Sequence, residues 1–485
     1  MLKTFTINFS DISEDFYLRT DSKYHSFLFS SDWNLFNSKN NNLIALKNIL
    51  SDDYVLFDYK KNEHYKGIPT GQTYIDKDGE IIDFKTITLE DHPARLKYKI
   101  SNQNILISSL RLAKSPALFF ENKNLSNYVF SNGFYIFDVK KTWNIKFVLY
   151  ILRTKKLKDI LDNNVYRGIG ISAYKKEDLL KIKIPLIAKP KQDQIVAQIE
   201  PIEKKIKELK AQIIQPQKII NKVFAKEFGF DENLYNQFGK GMTAGTQIAE
   251  NRKLRVFKTV FSEFTKSDIL RCSTRFSNPA NRKLTNILNN IKTLTIKNIL
   301  TRPIRRGASP KYNPDGDIPV VKTGHLKNGY IEISQEEFVD NTFYNSSIRS
   351  QIKKGDILIA STGKISLGKI DLLEEKQKLA ADGHISIIKI NDKKYNCLFF
   401  IYFFRSVLGY FQIERDFTGT TNQIELGVNE ISNFKIPNIP LPAQQKIVDE
   451  IKSELENQEQ LEKQIKNQRN NIDRLIENII NKLRD

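Results

Sequence analysis

The chain has few cysteines and no long apolar run. Only two of its 485 residues are cysteines, Cys272 and Cys397, and no CxxC motif occurs. A disulfide scaffold and a structural zinc site are therefore both unexpected. No run of about eighteen apolar residues is present, which argues against a membrane-spanning helix. The opening sequence "MLKTFTINFSD" has no apolar core of the kind found in signal peptides, so we expect a cytoplasmic protein.

The sequence also lacks the motifs that nucleotide-dependent and methyl-transferring enzymes need. It contains no GxxxxGK[ST] phosphate loop, no Asn/Asp-Pro-Pro-Tyr/Phe motif and no glycine-rich turn for S-adenosylmethionine. The stretch "PDGDIPVVK" places Val320 where a metal-dependent nuclease would need an acidic residue. The five histidines are scattered, without an HExxH motif. We therefore expect no catalytic residue and no metal site, and interpret the chain as a binding protein.

Positive charge, in contrast, is abundant. The formal net charge is +20 and the pI is about 9.5, in a chain with 40% hydrophobic and 27% charged residues. The hydrophobic and charged fractions are typical of a globular protein. A protein this basic is usually attracted to a polyanion, most often nucleic acid. A ribosome-associated or membrane-surface protein remains the alternative on composition alone.

An internal repeat runs through the chain. The stretch "IKIPLIAKPKQDQIVAQI" begins at Ile182, and "FKIPNIPLPAQQKIVDEI" begins at Phe434, 252 residues later. The same offset relates "NILIS" at Asn104 to "DILIA" at Asp356. It also relates "FSDISEDFYLRTDSKY" to "FSEFTKSDILRCSTRF". These matches predict two copies of one module with similar ends and divergent middles.

The repeat divides the chain into five predicted segments. They are a first variable domain (1–190), a central helix (191–228), a linker (229–252), a second variable domain (253–440) and a C-terminal helix (441–485). Short apolar runs between Gly, Asn and Asp residues indicate that each variable domain mixes sheet and helix, an α/β (α+β) class. Pro201 and Pro216 lie within the central helix, so we expect a kink or late start near the first and a bend near the second.

Both helical segments carry an apolar seam. The central segment has Ile195, Ile199, Ile202, Ile206 and Leu209 at alternating spacings of four and three, typical of one helix packing along another. Pairing of the two segments within one chain is favoured, and a coiled coil between two chains is the alternative. The residues predicted to form this spacer or to bind a partner are Ile195, Ile199, Ile206, Leu209, Ile447, Ile451, Ile465 and Ile472.

Three stretches of the second half carry a family resemblance. They are "GDIPVVKTGHLKNGYI" (Gly316–Ile331), "IKKGDILIASTGKISLGKI" (Ile352–Ile370) and "FTGTTNQIELGVNEISNFKIPNIPLP" (Phe417–Pro442). Together with the two "KIP" strands and the Gln-rich helices, they resemble the DNA-specificity subunit of type I restriction–modification systems.

The resemblance implies a fold and a set of partners. Each variable domain would be a target-recognition domain that reads one half of a split site in double-stranded DNA. The two long helices would form an antiparallel coiled coil that fixes the spacing, giving an internal pseudo-two-fold repeat. Adenine-N6 methyltransferase subunits, two in number, and a restriction/translocase subunit would bind this chain. S-adenosylmethionine, ATP and magnesium would then lie on those partners, and no cofactor on this chain.

The first half departs from the family pattern. "KISNQNILISSLRLAKSPALF" (Lys99–Phe119) lacks the Gly-Asp and Ser-x-Gly elements of its counterpart. Two alternatives stay open, and the divergent first half leaves room for the second of them. The chain could be the specificity half of a system that fuses methylation and cleavage in one partner, or a scaffold or decoy that binds a methyltransferase without reading DNA.

DNA contacts should come from basic residues on phosphates and from a few side chains at base edges. In the second domain the candidates are Arg302, Arg305, Arg306, Lys311, Tyr312, Lys322, Thr323, His325, Lys327, Thr362 and Lys364. In the first domain they are Lys66, Thr70, Gln72, Tyr74, Arg111, Lys114 and Arg167.

Overall fold

The structure is a computed structural model that divides into two compact units. It describes residues 42–71, 73–110, 113–161, 173–231, 276, 279–333, 337–420 and 423–481. The first unit is formed by Met1–Ala211 together with Glu462–Asp485, and the second unit by Gln212–Leu461. Both units combine sheets with helices, which confirms the predicted mixed class.

Two larger sheets and one short strand pair form the sheet structure described in the first unit. Across the five-stranded sheet, the strands are β3 (Val55–Leu56), β6 (Leu96–Lys99), β9 (Tyr128–Ser131), β4 (Tyr65–Ile68) and β5 (Lys85–Ile87). Across the four-stranded sheet they are β2 (Leu50–Asp52), β10 (Phe134–Val139), β7 (Asn104–Ser108) and β8 (Ala117–Leu118). The short pair joins β1 (Leu43–Ala45) to β11 (Lys183–Pro185).

Four helices and the end of a fifth complete the described part of the first unit. The four are α1 (Ile145–Arg153), α2 (Lys155–Ile160), α3 (Lys176–Lys181) and α4 (Lys189–Ala211). Helix α1 begins after Asn144, whose side chain accepts hydrogen bonds from the backbone N–H groups of Lys146 and Phe147. Helix α2 follows at once, capped by the Thr154 hydroxyl.

Strand β7 lies between two apolar cores of the first unit, and all five of its residues are buried. Because successive side chains of a strand point to opposite faces, Ile105 and Ile107 pack in one cluster with Phe147 of α1. Leu106 packs in the other cluster with Phe130 of β9. This continuous burial explains why "NILIS" is apolar without alternation.

In its described residues, the second unit contains two four-stranded sheets and two short strand pairs. One sheet has, in order, β13 (Arg305–Arg306), β20 (Ile385–Ile388), β17 (Ile357–Ala360) and β18 (Ile370–Leu372). The other has β15 (Phe338–Val339), β14 (Ile318–Val321), β19 (Leu379–Ala381) and β16 (Gln351–Ile352). The short pairs are β12 (Thr293–Thr295) with β23 (Lys435–Pro437), and β21 (Thr418–Thr420) with β22 (Gln423–Glu425).

Helices pack on these sheets around an aromatic core. They are α5 (Pro216–Phe228), α6 (Pro279–Asn290), α7 (Asn341–Ser346), α8 (Cys397–Arg405), α9 (Val407–Asp416), α10 (Val428–Asn433) and α11 (Leu441–Asn481). Phe399 and Phe403 of α8 are fully buried and contact Phe224 of α5. Within the described ranges, no single helix is long and apolar enough to cross a membrane. The bent pair α8–α9 meets that test by length and composition only.

The two units have the same topology. The order β2-β10-β7-β8 corresponds to β13-β20-β17-β18, and β6-β9-β4-β5 corresponds to β16-β19-β14-β15. In each unit the only parallel pairing among the described strands joins equivalent strands, β4 with β9 and β14 with β19. Helices α1 and α8 begin 252 residues apart, as do strands β11 and β23. The first half therefore has the architecture of the second, although its loop motifs differ.

The repeated helices are α4 and the first half of α11. The segment that follows each of them in sequence belongs to the other unit. Helix α4 belongs to the first unit, whereas α5, which follows it in sequence, belongs to the second unit. Conversely, α11 begins in the second unit, and its residues from Glu462 onward belong to the first. The predicted central helix 191–228 is thus two helices, with the break immediately before Pro216. Pro201 lies inside α4, which begins at Lys189 and so has no late start.

Candidate nucleic-acid interface

Several loops of the second unit meet at one end of its sheets. The backbone N–H of Gly307 donates to the carbonyl of Ile385 at 3.0 Å, and that of Ser361 donates to the carbonyl of His384 at 2.9 Å. The loops that follow β13 and β17 therefore lie beside the turn between β19 and β20. The exposed His384 lies in this turn, and it was not among the predicted contacts because sequence alone gave no reason to separate it from a loop histidine.

The β21–β22 hairpin lies against the "STGK" loop at this end. The backbone N–H of Leu426 donates to the carbonyl of Ser361 at 2.8 Å, and Thr362 pairs with Glu425. Gly363 has a φ of +85°, a left-handed conformation that favours glycine. Lys364 is exposed and Ile365 is 72% exposed. Two of the candidates, Thr362 and Lys364, are therefore presented on one accessible loop.

The three candidate arginines of this region are held by the protein itself. Arg302 donates to both carboxylate oxygens of the buried Asp356, at 2.6 and 2.7 Å. Arg305 donates to the carbonyls of Ile348 (2.8 Å) and Gln351 (2.9 Å). Arg306 pairs with Glu425, and its Nε and Nη2 atoms are buried without a hydrogen-bond partner among the described residues. These guanidinium groups tie β13 and the loop before it to distant segments, and DNA contact by them stays a prediction.

Lys322 occupies a polar and aromatic setting. Its Nζ lies 2.6 Å from Glu337 Oε1 and 4.8 Å from the centroid of the Tyr312 ring. The hydrogen bonds to Glu337 and Tyr312 raise the pKa of Lys322 to about 12. Tyr312 is 47% exposed and the neighbouring Lys311 is exposed. Of this group, Lys311 and Tyr312 are the more accessible to a ligand.

The turn after β14 is anchored by a buried carboxylate. Asp371 accepts hydrogen bonds from the backbone N–H groups of Asn328 (3.0 Å) and Gly329 (2.5 Å). Burial raises the pKa of Asp371 to about 6, although these two donors lower it in part. The turn carries three candidates: Thr323 and His325 are half-buried, and Lys327 is paired with Glu332 at 2.7 Å.

In the first unit the described candidates are spread over one sheet and its loops. Lys66 on β4 lies over the rings of Phe84 and Tyr128. Thr70 packs so closely on Gly133 that a Cβ atom at position 133 would clash with the Thr70 hydroxyl. Tyr74 packs on the apolar core, and Lys114 is exposed. Candidates Gln72, Arg111 and Arg167 lie outside the described residues.

An ionic cluster, which sequence reasoning missed, anchors the hairpin that follows Tyr74. Arg469 of α11 donates to both oxygens of Asp78, at 2.7 and 2.6 Å. Lys210 of α4 pairs with Asp78 and, at 2.6 Å, with Asp76. Burial alone would raise the pKa of Asp78, but the hydrogen bonds from Arg469 and Lys210 lower it to about 2. Helix α4 and the end of α11 are thereby tied to the hairpin of the first unit.

Seven of the eight residues predicted to form the spacer are buried, and Ile472 is half-buried. Ile195 and Ile199 share a cluster with Ile472 and Ile476 in the first unit. Ile447 and Ile451 share a cluster with α5 in the second unit. The remaining seam residues Ile206, Leu209 and Ile465 are 6%, 3% and 5% exposed. Within the second unit, Ile214 bonds Gln458 and Lys226 pairs with Glu450, so α5 and α11 run antiparallel.

Comparison with known proteins places the second half in a family. Residues 289–470 match the model of the type I restriction modification DNA specificity domain. One similar chain comes from a structure that describes the complex assembly and conformational transition of the type I R-M system. It is 15% identical, with 91% of this chain and 96% of that chain covered and a TM-score of 0.46. The HsdS subunit from Thermoanaerobacter tengcongensis is 15% identical (91% and 95% covered, TM-score 0.32). The type I S subunit from M. genitalium is 13% identical (91% and 96% covered, TM-score 0.39). No curated protein matches the chain.

Proposed function

We propose that this chain, which is a type I restriction–modification DNA specificity subunit by its domain at residues 289–470, reads a divided DNA site with one unit on each half. The single observation that carries this proposal is the shared topology of the two units. The second unit matches a DNA specificity domain, and the first unit has the same strand order. This supports two DNA-reading domains of the same type.

The helices supply the second part of the proposal. The first unit contains α4 and the end of α11, and the second unit contains α5 and the start of α11. Each unit is therefore built from both halves of the chain. We infer that α4, α5 and α11 act as the spacer that fixes the gap between the two half-sites. Half-site spacing is a geometric property of the protein that holds the two readers.

Catalysis belongs to the partners in this account. Adenine-N6 methyltransferase subunits would dock on the chain, and a restriction/translocase subunit would join them. S-adenosylmethionine, ATP and magnesium would be bound by those subunits. The role of this chain is then to bring one methyltransferase to each half-site, with affinity from phosphate contacts and specificity from loops such as the one that carries Thr362 and Lys364.

Variants confined to one unit test the assignment of one reader to each half-site. The complex would be produced with its neighbouring methyltransferase in a methylation-free host, and N6-methyladenine would be mapped. Thr362→Ala/Lys364→Ala should relax one half of the motif, and Thr70→Ala/Tyr74→Ala should relax the other half. Relaxation of the same half by both double variants would contradict the proposal. The exposed Gln198→Ala on α4 is the matched control and should leave the motif unchanged.

A further inference from the structure

Alternating aromatic and lysine side chains form a ladder on the first unit. The Nζ atom of Lys66 lies 5.0 Å from the ring centroid of Phe84 and 5.0 Å from that of Tyr128. The Nζ atom of Lys123 lies 5.7 Å from the Tyr128 centroid and 5.6 Å from that of Phe120. All four separations fall within the range of about 6 Å in which a ring face attracts a cation. We call these five residues the aromatic–lysine ladder.

The ladder rests on well-packed backbone. Lys66 on β4 lies directly opposite Tyr128 on β9 in the parallel pair at the centre of the sheet. Phe120 is 4% exposed and packs in the core beneath. Lys123 lies beside a turn closed by Asn124, whose side chain accepts a hydrogen bond of 3.1 Å from the backbone N–H two residues later. Both lysines therefore extend from fixed positions.

The charge of the ladder is not neutralised within the part of the chain that the structure describes. Neither Lys66 nor Lys123 forms an ion pair or a side-chain hydrogen bond with the described residues. Lys322 in the second unit is different: it also lies over a tyrosine ring, but it is paired with Glu337 at 2.6 Å. The ladder thus presents two positive charges that are held in place and have no anionic partner among the described residues.

We propose that the ladder binds the DNA backbone, with Lys66 and Lys123 each pairing with a phosphate group. The rings restrict the lysine side chains before binding, so less conformational entropy is lost when the phosphates bind. Phe84, which is 41% exposed, lies beside Lys66 at one end of the ladder and is accessible to a sugar next to the phosphate that Lys66 binds. This inference rests on the proposed function and specifies how the first unit is positioned on its half-site, since phosphate contacts orient a protein without reading sequence.

Salt dependence of binding tests the proposal. The assembled complex would be titrated with a duplex that contains the mapped target and with a scrambled duplex, over a series of NaCl concentrations. Lys66→Gln and Lys123→Gln should each reduce the slope of log K against log[salt] by about 0.9, and should weaken binding to both duplexes by the same factor. Lys189→Gln is the matched control, because Lys189 lies in the same unit but is paired with Asp193 at 2.9 Å. It should keep the wild-type slope.

A double-mutant cycle tests the positioning role of Tyr128. Tyr128→Leu should weaken binding to both duplexes in the wild-type background, because the two ammonium groups lose their common support. In the Lys66→Gln/Lys123→Gln background the same substitution should have no further effect. An equal loss in both backgrounds would show that Tyr128 acts only on the fold and would remove it from the proposal.

Failure of this inference is distinguishable from failure of the proposed function. Target-specific binding by the wild-type complex, with unchanged slopes in both Gln variants, would overturn the ladder alone. Absence of target-specific binding by the wild-type complex would overturn the proposed function and the ladder with it. Thermal unfolding of each variant checks that it is folded. Lys66→Gln and Lys123→Gln are measured separately, so if one of them does not fold, the salt slope of the other still tests the ladder.

Discussion

The side chain of Gln444 accepts a hydrogen bond of 2.7 Å from the backbone N–H of Asn396, the residue that caps α8. Its amide also donates to the carbonyl of Ile439 at 2.8 Å. In the first unit Gln192 makes the same two bonds, with the N–H of Asn144 at 2.8 Å and the carbonyl of Ile187 at 2.6 Å. The repeated glutamine thus joins the repeated helix to its recognition domain in both halves.

We predict that Gln444→Ala destabilises the second unit and Gln192→Ala the first. Both side chains are almost fully buried, and truncation leaves backbone groups without partners. Each substitution should cost about 1–3 kcal/mol in the free energy of unfolding. Denaturant unfolding of the complex measures this cost. Gln198→Ala, an exposed position on α4, should change the midpoint little, and an equal loss there would contradict the role of the buried pair.

Arg302 and Lys364 should separate stability from DNA binding. Arg302→Ala leaves Asp356, which is 1% exposed, without its charged partner, so we expect a loss of about 3 kcal/mol in stability. Lys364→Ala removes an exposed charge and should leave stability unchanged while weakening DNA binding. Parallel unfolding and binding measurements on both variants check this contrast. Weaker DNA binding by Arg302→Ala without any loss of stability would favour the original prediction of direct contact.

Stability of the first unit should fall in acid because of Asp78. Its pKa of about 2 in the folded protein lies below the ordinary value of 3.8, so its ion pairs stabilise the fold above about pH 4. This contribution is lost as the pH falls from about 4 to 2, and it amounts to about 1–2 kcal/mol after allowance for solvent screening. Asp78→Asn should be less stable at neutral pH and should lack this pH dependence. A difference between the two proteins that is constant from pH 6 to 2 would contradict the ionic anchor.

Asp371 should make the second unit more stable in acid, which is the opposite of the effect of Asp78. Its folded pKa of about 6 lies above the ordinary value of 3.8, so the folded protein takes up a proton more readily than the unfolded chain. The contribution of this group to stability therefore rises as the pH falls from about 6 to 4, by about 2 kcal/mol. Unfolding of wild type and Asp371→Asn across this range isolates the effect. Identical pH profiles for the two proteins would rule it out.

The sequence predicted the architecture better than the contacts. The repeat and the apolar pattern predicted a C-terminal helix at 441–485, and the structure has a helix at Leu441–Asn481. The repeat offset predicted two equivalent halves because duplicated strands and helices keep their apolar pattern. The partners of Arg302 and Arg306 were missed, because Asp356 and Glu425 lie 54 and 119 residues further along the chain. The packing of distant loops and strands in the folded unit brings such pairs together, and composition does not encode it.

The anchoring of the first recognition domain was missed for the same reason. Arg469 and Asp78 are 391 residues apart, and nothing in the seam pattern of α11 distinguishes this arginine from a solvated one. The exchange of α5 and the end of α11 between the units was also not predicted. An apolar stripe predicts that a segment packs against a partner, but it does not specify which unit supplies that partner.

A map of the N6-methyladenine made by the wild-type chain with its methyltransferase tests whether each unit reads one half-site. We predict a motif with two defined halves separated by a gap of fixed length, because two units of one topology each read one half. A motif with a single defined half, or two halves at variable separation, would contradict it. Absence of methylation by a complex that still co-purifies would instead identify the chain as a scaffold that binds the enzyme without reading DNA.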